Sequence, residues 1–178
     1  MTQKKFNSLT LEILQGNIAD QPDCDAIVNA ANAQLRTGGG VAGAIHSIGD
    51  PELTEETRSM APISPGEAVI SSAPNFPNKH IIHCLGPVYG RDKPEDELLR
   101  SCYVNALKTA DENGVKSIAF PAISTGAFGY PKREAATIAL NAVKELSGSL
   151  ESIELVRFVL FSEDDYKLHE KVLEEILD

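Results

Sequence analysis

The sequence predicts an α/β sandwich with a largely parallel central sheet, folded as a single domain over residues 1–178. Short apolar runs, typical of strands buried in a sheet, alternate along the chain with segments whose apolar residues recur at helical spacing. The 178 residues contain no internal repeat, low-complexity tract or long linker that would divide them. A chain of this length suffices for one sizeable hydrophobic core.

In the first half of the chain, strands and helices are predicted as follows. Apolar and polar residues alternate over Leu9–Gln15, which predicts the first strand. Residues 25–29 form a short apolar run, Asp-Ala-Ile-Val-Asn, typical of a strand buried on both faces. We expect a helix from about Val41, interrupted near Pro51, and a second helical piece over residues 52–60.

The second half continues the pattern. A helix is expected over residues 94–113, because apolar residues recur there at helical spacing and Gly114 gives a stop signal. The other predicted elements are strands over residues 67–72, 80–85, 115–121 and 151–161, and helices over residues 132–146 and 163–177.

The charge of the chain limits the classes of ligand. The formal net charge is −10, from 26 acidic and 16 basic residues. A surface this acidic repels nucleic-acid backbones and anionic membranes at long range, so binding to nucleic acid is disfavoured. No segment has the length of a membrane span, and the amino terminus has no apolar signal core, so we expect a cytoplasmic protein. A monomer is the default expectation, because no coiled-coil pattern is present.

The cysteines and histidines do not indicate a metal site. The three cysteines are odd in number and far apart, so we expect small apolar side chains in a reducing cytoplasm: Cys24, Cys84 and Cys102. His80 and His83 would point to opposite faces of a strand. His169 lies among charged residues on the last helix, where we expect it to be solvated. Neither a metal nor a cofactor is predicted.

Two glycine-rich loops carry the functional signal. Each follows a predicted strand and leads into a predicted helix: residues 38–41 (Gly-Gly-Gly-Val) and residues 124–129 (Ser-Thr-Gly-Ala-Phe-Gly). Backbone N–H groups before a helix bind phosphate oxygens, and in open α/β sheets ligands bind at the carboxyl ends of the strands. The alternative is that both loops are simple tight turns. Asn29 and Asn32 add amide groups suited to ribose hydroxyls, which favours a two-sided diphosphate site.

Other nucleotide fingerprints match poorly. The spacing of the glycines does not fit G-x-G-x-x-G, and the chain contains no G-x-x-x-x-G-K-[ST] segment. The second loop also lacks the G-x-S-x-G frame of a hydrolase elbow.

The two loops closely resemble the binding loops of macrodomains. The resemblance lies in residues 28–32 (Val-Asn-Ala-Ala-Asn), 38–45 and 121–131. It extends over nearly the whole chain, including residues 16–18 and 158–161. It implies a three-layer α/β/α sandwich with a largely parallel, mixed central sheet. Macrodomains bind ADP-ribose, and many of them hydrolyse ADP-ribose esters.

The resemblance also implies roles for individual residues. Asn17 and Ile18 stand where the family contacts adenine, and Phe161 where an aromatic ring packs on the base. Asn29 and Asn32 match the asparagines of the first loop, with Asn32 at the distal ribose and as the candidate catalytic residue. The residues matched to diphosphate contacts are Gly38, Gly39, Gly40, Val41, Ser124, Thr125, Gly126, Ala127 and Phe128. Phe128 would also wall the distal ribose.

Two positions depart from the family pattern. Most relatives have aspartate at position 17. Asn17 carries no charge, so its side-chain oxygen is a weaker hydrogen-bond acceptor for adenine than the carboxylate would be. The most active hydrolytic branch has an aspartate that is proposed to help activate water, and here that position is Ala42. His46 lies one helical turn later and is a candidate substitute base, although a structural histidine behind the loop is favoured.

The sequence is therefore consistent with two functions. In the first, the protein binds ADP-ribose and hydrolyses its esters, either O-acetyl-ADP-ribose or mono-ADP-ribosylated acidic side chains. Since Ala42 offers no carboxylate, a substrate phosphate would position the attacking water. In the alternative, the same pocket is a non-catalytic reader of ADP-ribose, free or attached to proteins.

Overall fold

The computed structural model describes residues 1–177 and contains seven strands and five helices over that range. The strands are β1 (Thr2–Phe6), β2 (Leu9–Gln15), β3 (Ala26–Ala30), β4 (Ala68–Ser72), β5 (His80–Cys84), β6 (Ser117–Phe120) and β7 (Leu155–Leu160). The helices are α1 (Gly40–Gly49), α2 (Glu52–Thr57), α3 (Glu95–Glu112), α4 (Lys132–Leu146) and α5 (Glu163–Leu177).

All seven strands form one sheet in the order β1-β2-β7-β6-β3-β5-β4. The five central strands, β2, β7, β6, β3 and β5, run parallel to one another. The two edge strands, β1 and β4, pair antiparallel with their neighbours. The expectation of a largely parallel, mixed sheet is confirmed. None of the helices within residues 1–177 is long and apolar enough to cross a membrane.

Helices cover both faces of the sheet and complete the three layers. On β7, Phe158 and Leu160 belong to the large core shared with α3, α4 and α5, whereas Val159 belongs to the smaller core shared with α1 and α2. This alternation follows from the two-residue period of a strand. At the centre of the larger core the rings of Phe120 and Phe158 stack at 5.6 Å between centroids.

Strand β1 is absent from the sequence-based prediction. Of its five residues only Phe6 is buried, and Gln3, Lys4 and Lys5 are exposed. An edge strand pairs through its backbone on one side only, and lysine is a common device for protecting the other side. Its composition therefore does not reveal it.

His169 was expected to be solvated, and that expectation is wrong. The side chain is only 4% exposed and packs near the ring of Phe158, at 6.1 Å between ring centroids. Burial lowers its pKa, against a smaller opposite effect of the hydrogen bond to the Asp165 carbonyl. The charged neighbours in sequence lie on the other side of α5, while Val172 and Leu173 share the buried face with His169.

All three cysteines are buried and free, as expected from their spacing.

Candidate ligand-binding site at the carboxyl edge of the sheet

The parallel strands bring every predicted site residue to one edge of the sheet. The loops that follow β2, β7, β6, β3 and β5 all start at the carboxyl ends of their strands and therefore lie at this edge. Because β3 and β6 are neighbours, the two glycine-rich loops that follow them lie side by side. The structure thus brings together the two loops that the sequence singled out.

The first loop is organised by the side chain of Asn32. Its Nδ2 donates to the carbonyl of Arg36 at 2.7 Å, and its Oδ1 accepts from the N–H of Arg36 at 3.1 Å. Asn32 is half-buried, and one amide hydrogen and one oxygen lone pair remain for a ligand. The predicted ribose contact is therefore also the residue that closes the loop.

Helix α1 begins directly after this loop and has no side-chain cap. Gly39 at the N-cap offers no capping side chain, and Gly40 takes a left-handed φ of +55°. Within residues 1–177, the N–H groups of residues 38–42 donate to no protein atom. Free N–H groups at a helix start attract anions, aided by the helix dipole.

The loop rests against the helix at Gly43. A Cβ at this position would lie 2.4 Å from the carbonyl oxygen of Gly38, so only glycine permits the approach. This contact fixes how far the first loop stands from the body of the protein.

The second loop turns sharply at Ser124, which has a φ of +67°. The carbonyl of Ser124 accepts from Tyr130 N–H at 2.9 Å, and Gly129 N–H donates to the carbonyl of Gly126 at 3.0 Å. The N–H groups of residues 126–128 donate to no protein atom in the described chain. The second loop therefore presents its own row of free donors beside the first.

Ser124 is pressed against Gly86, which lies in the loop after β5. Its Oγ is buried, has no hydrogen-bond partner within residues 1–177, and would lie 2.1 Å from a Cβ at Gly86. The loop after β5 also meets the second loop through a hydrogen bond of 2.9 Å from Tyr89 N–H to the Phe128 carbonyl. Phe128 itself is half-buried at the surface of a small apolar cluster.

Strands β2 and β7 place Asn17 and Phe161 at the far end of the same edge. Gly16 N–H donates to the Leu160 carbonyl at 2.9 Å, so the two strand ends are joined. Phe161 is 88% exposed, although exposing a phenylalanine side chain to water is normally unfavourable. An exposed aromatic ring beside a polar loop suits a planar base that stacks on it.

The Asn17 side chain is already engaged in the loop. Its Oδ1 accepts from the N–H of Ala19 at 2.9 Å, and its carbonyl accepts from Gln21 Nε2 at 3.0 Å. Ile18 is buried and anchors the loop in the smaller core. The open group of Asn17 is therefore its Nδ2.

A buried ion pair supports this loop from below, and the sequence reasoning missed it. Arg157 of β7 donates to Glu12 at 2.8 Å, to both carboxylate oxygens of Asp23 at 2.8 Å, and to Gln21 Oε1 at 3.0 Å. The Arg157 guanidinium lowers the pKa of Asp23, against a smaller effect of burial. An arginine in an otherwise apolar strand segment was the available signal, because a buried charge requires partners.

Asn29 lies beneath the first loop, fully buried on β3. Its Nδ2 contacts His83 Nδ1 at 3.1 Å, and His83 Nε2 contacts Ser71 Oγ at 2.9 Å. Burial, with a smaller contribution from nearby His46, lowers the pKa of His83 to about 3, so the ring is neutral. This chain of three side chains across β3, β5 and β4 forms a floor under the site, and Asn29 Oδ1 has no partner within residues 1–177.

His46 is buried in the junction between α1 and α2. Its Nδ1 contacts Asp50 Oδ1 at 3.0 Å and Thr54 Oγ1 at 3.2 Å. Burial alone would raise the pKa of Asp50, but hydrogen bonds from Thr54 and His46 outweigh it and lower that pKa. Since the carboxylate needs a donor, the Asp50 contact assigns the ring hydrogen to Nδ1. The geometry favours a structural role for His46.

The chemistry at this edge comes from amides and aromatic rings. Ala42 is buried in the first turn of α1, and that turn contains no acidic residue. Residues 1–177 contain no group of three or more metal-binding side chains. The free backbone donors of the two loops can bind an anionic group, and the first turn of α1 contributes no acidic side chain beside them.

Comparison with known proteins agrees with this architecture. A family model described as Macro domain matches residues 28–139. A macro domain-containing protein of Caldanaerobacter subterraneus subsp. tengcongensis is 49% identical over 172 residues, which cover 93% of this chain and 97% of that protein. A Citrobacter rodentium protein named O-acetyl-ADP-ribose deacetylase is 43% identical over 168 residues, covering 92% and 94% respectively.

Solved structures give the same result. A mutant of the Oceanobacillus iheyensis macrodomain with ADPR superimposes with a TM-score of 0.93 at 38% identity, covering 99% of this chain and 98% of that chain. The Trypanosoma brucei macrodomain in complex with ADP-ribose superimposes with a TM-score of 0.85 at 36% identity, covering 92% and 68%. With the sheet order, the paired glycine loops and these matches taken together, the chain belongs to the macrodomain family.

Proposed function

We propose that this protein binds ADP-ribose along the carboxyl edge of its sheet. The observation that carries the proposal is the pair of adjacent loops whose N–H groups, at residues 38–42 and 126–128, have no acceptor within the described chain. A diphosphate placed between them would receive hydrogen bonds from both sides. The adenine would then lie towards Phe161 and Asn17, and the distal ribose towards Asn32 and Phe128.

The relatives support the ligand class. Structural neighbours from Oceanobacillus iheyensis and Trypanosoma brucei carry ADPR or ADP-ribose by their descriptions. Both superimpose over more than nine-tenths of this chain, so this chain shares the fold of proteins that are named with this ligand.

We further propose slow hydrolysis of an ester at the distal ribose, in O-acetyl-ADP-ribose or on a mono-ADP-ribosylated acidic side chain. The oxygen of a water molecule attacks the acyl carbon, and the bond from that carbon to the ribose oxygen breaks. The water gives up a proton to a phosphate oxygen of the substrate, which passes it on to the departing ribose oxygen, so that the ribose leaves with a hydroxyl and the acyl group as a carboxylic acid. Loop amides stabilise the phosphate, and Asn32 holds the ribose.

A reader function is the second candidate. It is favoured by one observation, which is that the first turn of α1 has no carboxylate to act as a general base. Binding would then be the whole activity, with mono-ADP-ribosylated proteins as partners.

Binding is tested by calorimetric titration. We expect saturable heat with ADP-ribose and a much weaker response with AMP, because AMP lacks the second phosphate and the distal ribose. Heat with AMP but none with ADP-ribose would contradict the proposal.

Hydrolysis is tested separately, by following O-acetyl-ADP-ribose in the presence of the protein. Turnover above the buffer rate supports the enzyme, and no turnover leaves the reader. Ala42→Asp places a carboxylate in the first turn of α1 and should raise the rate. Ala44→Asp is the matched control, because it adds the same charge two residues along the helix, on a different face.

A further inference from the structure

We propose that Asn17 sets the base preference of this site, moving it from purines with an amino group at position 6 towards purines with an oxygen there. The proposal rests on the proposed function, since it assumes that the base of an ADP-ribose-like ligand stacks on Phe161. A hypoxanthine base, as in inosine diphosphate ribose, is the chemical class that the site would accept.

The orientation of the Asn17 amide is fixed by its own loop. Oδ1 accepts from Ala19 N–H at 2.9 Å, and turning the amide over would place two donors against each other. Nδ2 is consequently the group that faces outward. Asn17 is exposed, so its Nδ2 is accessible to a ligand.

Asparagine and aspartate have almost the same shape but differ at this outward group. An aspartate at position 17 would keep one oxygen on Ala19 N–H and offer the second oxygen to a ligand donor. Asn17 offers an NH₂ group instead. The 6-amino group of adenine is a donor, so it meets another donor, whereas the 6-oxo group of hypoxanthine is an acceptor and completes a hydrogen bond.

The loop cannot readily turn Asn17 aside. The Asn17 carbonyl accepts from Asp20 N–H at 2.9 Å and from Gln21 Nε2 at 3.0 Å, and Gln21 is held in turn by Arg157. Gln15 Nε2 lies 3.4 Å from the Phe161 carbonyl, which ties the backbone at Phe161 to the end of β2, just before this loop. The backbone that carries Asn17 is therefore held in place.

The test measures the affinities for ADP-ribose and for inosine diphosphate ribose by calorimetry, in the wild-type protein and in Asn17→Asp. We expect the ratio of the two affinities to change by about tenfold in favour of the adenine ligand in Asn17→Asp, because one hydrogen bond to a charged acceptor is gained. The negative charge of the variant weakens both diphosphates alike and cancels in the ratio.

Asn113→Asp is the matched control. Asn113 follows α3 at the opposite edge of the sheet and is exposed, so the same change of charge there should leave the ratio unaltered. Circular dichroism establishes that each variant is folded.

The outcomes separate the two proposals. An affinity ratio that is the same in the wild-type protein and in Asn17→Asp, with both ligands bound, overturns the role of Asn17 and leaves ADP-ribose binding intact. If the wild-type protein binds neither ligand, the proposed function is refuted, and this inference is refuted with it.

Discussion

Replacing Gly43 with alanine tests whether the first loop is positioned by its contact with α1. The new Cβ would lie 2.4 Å from the Gly38 carbonyl oxygen, which is 1.0 Å short of the 3.4 Å at which ordinary contact begins. A backbone carbonyl cannot rotate away as a side chain can. The loop at Gly38 must therefore move outward by several tenths of an ångström to about 1 Å, or α1 must shift.

The magnitude follows from two opposing effects. Glycine to alanine inside a helix normally stabilises by up to about 1 kcal/mol. Overpacking of this kind costs about 1–3 kcal/mol, so the free energy of unfolding should fall by about 1 kcal/mol on balance. A displaced loop loses at least one amide hydrogen bond to the diphosphate, which lowers the affinity for ADP-ribose by about tenfold or more.

Urea unfolding and calorimetric titration measure the two quantities. Ala44→Gly on the same helix calibrates the helix-propensity effect, and Gly148→Ala, where a Cβ makes only an ordinary 3.5 Å contact, is the control for an added methyl group. The reasoning is refuted if Gly43→Ala is more stable than the wild-type protein and binds ADP-ribose as tightly.

Three further predictions follow from the site and its supports. Phe161→Ala should leave the melting temperature unchanged but weaken ADP-ribose binding by about tenfold, as stacking on a base is worth about 1–3 kcal/mol; equal affinity by calorimetry would contradict the aromatic platform. Gln21→Ala removes the donor to the Asn17 carbonyl and one of the three acceptors around Arg157 Nη1, so chemical denaturation should show a loss of about 1–2 kcal/mol. Burial would raise the pKa of Asp111, but hydrogen bonds from three successive backbone N–H groups before β7 lower it. Its contribution to stability is thus complete above the unfolded pKa and lost as pH falls through the lower, folded pKa. When urea unfolding is measured at falling pH, from about 6 to about 3, the free energy of unfolding should decline less for Asp111→Asn than for the wild-type protein.

The sequence predicted those parts of the site that are local in the chain. The glycines at residues 38–40 and the loop at residues 124–129 could be predicted as anion-binding loops, because a glycine-rich segment between a strand and a helix is typical of such loops. The alternation of strands and helices predicts a parallel sheet. In such a sheet both loops lie at the carboxyl ends of the strands, which is where ligands bind. The role expected for Phe161 came from the family resemblance, since the predicted strand over residues 151–161 includes this residue, whereas β7 ends at Leu160.

The supports of the site were beyond prediction, because they depend on register between strands. Asn29 meets His83 only because β3 and β5 pair in one particular register, and Arg157 meets Glu12 by the same kind of pairing between β7 and β2. No single window of sequence contains such a pair. Likewise, the engagement of Asn17 Oδ1 with Ala19 is a matter of one side-chain rotation, which composition does not reveal.

The buried floor of Asn29, His83 and Ser71 also determines where the protein can move. Opening the sheet at this edge would break these side-chain bonds together with the backbone ladder, so local unfolding there should be among the rarest events in the molecule. In the glycine loops above it, the N–H groups of residues 38–42 and 126–128 donate to no protein atom in the described part of the chain. Amide hydrogens of β3 and β5 should accordingly exchange with solvent far more slowly than those of the loops, so that adaptation to a ligand takes place in the loops while the surface beneath them stays still.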